Sequence, residues 1–302
     1  MFYLQGETEC VRTLAVLASR EGRVASTASE LHDAYIDFVV GIGGEELRPS
    51  VRGEKFCFDG SRVERLIAKH QREAAPNDLP VTFRQTPVSA GEEVLAKIRV
   101  AMDRLAQVDP GLYRIFDLVI HTVFYHRSQN SGGGSISSAP GVIWCAAKRT
   151  WSKIDLEEFL VHELTHNLLF LDERRYEHYR DPEALMAPEN FPVSAVLGIP
   201  RPLDRAFHSL VVATEVLCFR LRNGVSDTPV VHPTTPVLLE SCFRTARSIR
   251  EVIERVDIVK PRFLDVMDLA EVRLRDLRAA QGAERRRTET AAAPAPGEAL
   301  PV

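Results

Sequence analysis

The chain has 302 residues, 45% of them hydrophobic and 26% charged, with Lys+Arg 38 against Asp+Glu 42 and a net charge of -4. That balance supplies enough apolar material for a core and excludes both intrinsic disorder and a disulfide-stapled miniprotein. A slightly acidic chain lacks the basic footprint of a nucleic-acid binder, and no apolar run approaches the roughly 20 residues of a membrane span. The five scattered cysteines contain no CxxC and read as reduced thiols. With an acidic first decapeptide and no secretory pattern, the expectation is a cytoplasmic protein that meets neither nucleic acid nor membrane. Composition leaves the oligomeric state open.

Apolar residues recur at helical spacing over 10–20, 26–40 and 61–74, with a loop-rich stretch at 41–60. A helix is expected from Ser89 to Val108, with Ser89 as N-cap, Glu92 closing a capping box, and Asp109-Pro110-Gly111 as the stop. The period then changes. Residues 117–127 are β-branched and aromatic and predict a strand; 128–141 is a Gly/Ser loop; 142–146 is a second strand. A strong helix follows at 155–176, capped by Asp155 with Glu158 as its box partner, and another at 200–224 that stops at Asn223-Gly224. Two more are expected at about 236–256 and 261–281, before an Ala/Pro-rich tail that reads as disordered. The sum is a mainly α chain with a small antiparallel sheet (α+β). Its organisation is an N-terminal helical portion (1–115), a metal-binding catalytic core with C-terminal helices (116–282), and a tail (283–302).

The motif that carries chemistry is His162-Glu163-Leu164-Thr165-His166, an HExxH in mid-helix. Residues four apart project from one helix face, so two imidazoles can grip one divalent ion with Glu163 beside it as a catalytic acid or base. A third ligand must come from elsewhere. On the 200–222 helix, His208 and Glu215 lie seven residues apart and share a face among apolar neighbours. A buried His and Glu there need partners; one can be the ligand and the other can orient it. Metal chemistry alone favours Glu215, because mononuclear iron oxygenases usually combine two histidines with one carboxylate. Arg201 and Arg205 precede His208 on the same stretch and can clamp a carboxylate through paired hydrogen bonds. His121 and His126 face opposite sides of a strand, so at most one looks at the metal, and His178 lies in a charged run that reads as solvated. The Gly/Ser loop has no GKS or GKT and is not a phosphate loop, although Ser135, Ser137 and Ser138 can hydrogen-bond a substrate. The order strand, loop, strand, HExxH helix is that of a zincin-like core, in which an edge strand can bind a peptide by strand addition.

The blocks PGVIW (140–144), LVHELTHNLLFLDERRY (160–176) and PRPLDRAFHSLVVATE (200–215) resemble the HExxH-type, 2-oxoglutarate-dependent peptide β-hydroxylases, which accompany ribosomally made, modified peptide natural products in bacteria. The resemblance spans residues 117–222 and does not reach the flanking helices. It implies Fe(II) rather than zinc, His162 and His166 as ligands with His208 as the third, and 2-oxoglutarate as co-substrate. Its distal carboxylate would be held by Arg201 first and Arg205 second. The expected activity is hydroxylation of a side-chain β-carbon in a peptide, a precursor peptide being the natural partner. The alternative carried by the motif itself is a zinc-dependent metallopeptidase with Glu163 as general base.

Overall fold

The computed structural model describes residues 1–19, 25–73, 81–83, 88–225 and 229–292. Helices α1 (Phe2–Gln5), α2 (Glu7–Ala18), α3 (Ala28–Gly43), α4 (Gly60–Glu73), α5 (Val88–Val108) and α6 (Pro110–Val119) precede a sheet of β1 (Thr122–Tyr125), β2 (Gly133–Gly134) and β3 (Val142–Cys145). After it come α7 (Lys153–Tyr176), the short α8 (Pro182–Leu185), α9 (Leu203–Arg222), α10 (Thr235–Arg255) and α11 (Pro261–Ala292). Mainly α with a small sheet is therefore the observed class.

The sheet is mixed, not antiparallel. Its order is β1-β3-β2; β1 runs parallel to β3, pairing Thr122 with Val142 and Tyr125 with Cys145. The short β2 is antiparallel to β3, pairing Gly133 with Cys145 and Gly134 with Trp144. A parallel pair needs a long crossover, and the Gly/Ser stretch is that crossover, carrying β2 within it.

Several boundaries move for local reasons. Asp109-Pro110-Gly111 does end α5, but it also starts α6: the Asp109 side chain accepts a hydrogen bond from the Leu112 N–H at 3.2 Å, and Pro110 sits in the first turn, where its missing N–H costs nothing. Residues 117–119, expected in a strand, therefore close a helix, and the expected domain boundary at 115/116 falls inside α6. Helix α5 begins at Val88, so Ser89 lies inside it rather than at the cap. The cap of α7 is Ser152, not Asp155: Ser152 Oγ accepts from the Asp155 N–H at 3.1 Å and Asp155 Oδ2 accepts from the Ser152 N–H at 2.8 Å. Helix α9 starts at Leu203 behind Pro202, which leaves Arg201 outside it. Helix α11 continues through 284–292, residues expected in the tail; 293–302 lie outside the described residues.

Helix α7 is buried nearly all round, between α9, α5 and α2. It nevertheless carries buried charged groups, and such groups persist only when paired. Glu157 pairs with Arg104, Glu158 with Arg220, and Asp172 with both Arg262 and His178. His178 is thus buried rather than solvated. A cluster of buried apolar side chains runs from Met1 to Leu277, so the N-terminal helices pack into the same core as α7 and α9. All five cysteines are free and buried. No helix among the described residues is long and apolar enough to cross a membrane.

Candidate functional site

The 3.6-residue period of α7 sets His162 and His166 on one face, with ring centroids 4.9 Å apart. Helix α9 packs along α7 and brings His208 to them: His166 Nδ1 and His208 Nδ1 are 3.2 Å apart. Glu163 lies beside the pair, its Oε1 3.9 Å from His162 Nε2, and its Oε2 accepts a hydrogen bond from Ser135 Oγ at 2.7 Å. Burial pushes the Glu163 carboxyl up to about 7, against the opposing pull of the Ser135 hydroxyl. Asn167 holds the arrangement from below. Its Nδ2 donates to Ser135 Oγ at 3.0 Å and its Oδ1 accepts from the Gly141 N–H at 2.6 Å, so the Gly/Ser crossover is tied to α7 at its middle and at its end.

Two chains of hydrogen bonds reach the histidines from behind. Arg220 grips Glu158 at 2.6 and 2.8 Å. Glu158 Oε2 accepts from His232 Nδ1–H at 3.0 Å, and His232 Nε2 accepts from His162 Nδ1–H at 2.8 Å. With a single proton on the His232 ring each step fixes the next, because an imidazole in that form has one donor and one acceptor. A carboxylate on one His232 nitrogen makes the other an acceptor, so His162 must carry its proton on Nδ1, and the Nε2 lone pair is left beside Glu163. On the other side, Glu173 Oε1 accepts from His208 Nε2–H at 2.8 Å, and with a single proton on that ring the lone pair of His208 is on Nδ1, facing His166. The two facing Nδ1 atoms need one proton or one cation between them. Burial drives His162 and His166 well below the usual imidazole range, and the nearby guanidiniums of Arg205 and Arg201 add to this for His166. Both rings are therefore neutral, the form that binds metals.

As they stand, no three His, Cys, Asp or Glu side chains among the described residues are arranged to hold a metal ion. The donor set nonetheless fits one. A carboxylate behind a histidine, fixing its tautomer and aiming its free nitrogen, is the usual support of a metal ligand, and here Glu173 does this directly and Glu158 does it through His232.

A cavity of about 550 Å³ opens in front of this group. His162, Glu163, His166 and His208 line it, and so do Arg201 and Arg205. The main-chain N–H of Arg201 bonds to Pro192 O at 3.0 Å, and the Arg205 guanidinium lies 3.7 Å from Asp204. The expected ligand and clamp residues are thus brought together, with one exception. Glu215 does not reach the cavity. It sits two turns further along α9, fully buried, and its carboxylate binds the Met1 ammonium at 2.8 Å and the N–H groups of Tyr3 and Leu4 at 2.9 Å. Seven residues along a helix are separated by about 10 Å of rise, and α1 occupies that level. His121 is buried against Thr122 Oγ1 and Pro140 O, His126 Nδ1 meets Arg127 O, and neither lines the cavity.

The sequence did not mark His232, Glu173 or Arg220, and it marked Glu158 only as a cap residue. A periodic signal existed for two of them: Glu158 is one turn before His162 and Glu173 is two turns after His166. Compared with known protein families and with curated proteins, the chain matches none.

Proposed function

We propose that this chain is an Fe(II)- and 2-oxoglutarate-dependent oxygenase that hydroxylates a side-chain β-carbon of a peptide, in the biosynthesis of modified peptides. The observation that carries the reading is a cavity whose wall combines the imidazoles of His162, His166 and His208 with the guanidiniums of Arg201 and Arg205. In this reading the three imidazoles hold the metal, and iron with 2-oxoglutarate supplies the activation of dioxygen. Three neutral ligands, in place of two and a carboxylate, leave the ion its full charge, which favours an anionic chelator. Arg201 and Arg205 pair with the distal carboxylate of the co-substrate, a charge that is costly to bury unpaired. Glu158, through His232, and Glu173 keep the rings of His162 and His208 in the tautomers that ligation needs. The apolar part of the wall, including Phe170 and Trp144, excludes water and receives the peptide.

A zinc peptidase is the second reading. Glu163 favours it, since its carboxyl lines the same cavity within 3.9 Å of His162 Nε2, in reach of a water that it could deprotonate. Anaerobic titration separates the two. On the oxygenase reading, Fe(II) and 2-oxoglutarate added together give the visible charge-transfer absorption of a chelated 2-oxo acid, and admitting oxygen then yields succinate. Absence of both, with zinc-dependent fragmentation of a casein digest, would establish the peptidase instead.

A further inference from the structure

Another part of the cavity wall has a purpose that the metal site does not explain. His70, on α4, is 8% exposed and lines the cavity, yet among the described residues neither of its ring nitrogens has a hydrogen-bond partner. Its ring stacks on Phe124 at 6.0 Å and tilts against Trp144 at 6.3 Å. Phe83 lies 4.7 Å from Trp144, and both of these rings line the same cavity. The Trp144 indole N–H is already committed to His126 O at 2.9 Å, so Trp144 offers the cavity ring surface and no donor. Two unpaired nitrogens on a buried ring weaken the fold, and such groups persist where a ligand supplies the missing partner.

The chemistry of this wall selects the ligand. Burial holds the His70 imidazole down to about 4, so it is neutral and offers one N–H and one lone pair. Among the described residues lining the cavity the acid is Glu163, beside His162, so His70, Phe83 and Trp144 offer a cation no carboxylate of their own. The guanidiniums that would attract an anion belong to Arg201 and Arg205, beside the histidine cluster. An aliphatic chain would leave both His70 nitrogens unpaired. A flat ring satisfies the faces of Phe83 and Trp144, and one polar atom on it pairs one of the two His70 nitrogens. We propose that His70, Phe83 and Trp144 form a side-chain subsite for a neutral aromatic ring bearing a hydrogen-bonding atom, of which a tyrosine phenol is the type. The subsite rests on reading the cavity as the substrate site, and not on which metal is bound.

The test uses the metal-free, full-length protein with p-cresol and toluene as probes, titrated by calorimetry. His70→Phe keeps the stacking and removes both nitrogens. The ratio of p-cresol to toluene affinity is expected to fall by roughly fivefold in His70→Phe, the size of one neutral hydrogen bond. An unchanged ratio overturns the subsite. In the unmutated protein, p-cresol is expected to shift the ring ¹⁵N resonances of His70, and no shift would equally overturn it, whatever the variant's folding. The two proposals fail separately. A p-cresol preference without succinate production removes the oxygenase and keeps the subsite; succinate production without the preference does the reverse.

Discussion

On the proposed reading, His232 is a positioning residue whose effect passes through His162 to a bound metal. Replacing it with Ala deletes the acceptor for His162 Nδ1–H and frees the tautomer. Outer hydrogen bonds of this type change metal affinity about 10–100-fold, and that loss is expected for both His232→Ala and Glu158→Gln in competition against a chelator. His162→Ala and His166→Ala should abolish retention. Glu215→Ala separates ligand from scaffold: metal affinity should be unchanged, while stability falls by about 3–5 kcal/mol because a buried ammonium is left without its carboxylate. A Glu215→Ala protein of normal stability that loses its metal would restore Glu215 as a ligand. Arg201 precedes α9 and Arg205 lies on it, three residues before His208, so helical spacing does not rank the two arginines. Lysine cannot reproduce the planar fork, so Arg201→Lys and Arg205→Lys should each raise the apparent KM for 2-oxoglutarate about tenfold, near 1.4 kcal/mol, with metal content unaltered. Succinate release at graded 2-oxoglutarate reads this directly.

At the level of elements, the first turn of α7 does two jobs. Ser152 caps it, and Ser152→Ala should cost about 1 kcal/mol. Asp155 completes that box and also accepts the N–H groups of Val230 and Val231 at 2.6 and 3.1 Å, which anchors the segment leading to His232. Asp155→Ala should therefore cost more than Ser152→Ala in urea unfolding. It alone of the two should weaken metal binding, and equal metal affinities would show that the anchor is dispensable. Here the limits of the sequence are visible. HExxH, the two strands and the α9 stop at Asn223 depend on spacing within a few residues, and these were legible. Asp155 and Glu158 were read as a local cap because a capping box is a local pattern; their partners, Val230 and His232, lie more than seventy residues away. The parallel pairing of β1 with β3 was missed for a related reason, because the Gly/Ser composition of the crossover signals flexibility and not the direction in which the chain returns.

Across the whole molecule, several histidines are buried neutral, and this sets the response to acid. Burial lowers His70 to about 4 and His121 to about 3 from an ordinary 6.5. The folded state resists protonation while the unfolded state accepts it, so the unfolded state binds more protons below about pH 6.5. Stability is full above that pH and falls as pH drops toward the folded values, by up to about 1.4 kcal/mol per pH unit for each group. His162 and His166 act in the same direction in the metal-free protein. Urea midpoints of metal-free protein should fall from about pH 7 to about pH 5, and less steeply in His70→Phe. A flat profile would contradict the burial of these rings.

The five buried thiols place silent reporters at five points of this architecture: Cys10 on α2, Cys57 beside the sheet, Cys145 on β3, Cys218 on α9 and Cys242 on α10. Burial pushes Cys10, Cys145, Cys218 and Cys242 up to about 12, so each is protonated as well as sheltered. An alkylating reagent then reacts only when its segment opens, at a rate set by the local opening equilibrium. The order in which the five masses appear during slow alkylation would trace how the fold comes apart. If the crossover that holds Ser135 against Glu163 swings away to admit a peptide, Cys145 is labelled ahead of Cys218 and Cys242, and a bound occupant of the cavity delays that first event without altering the rest.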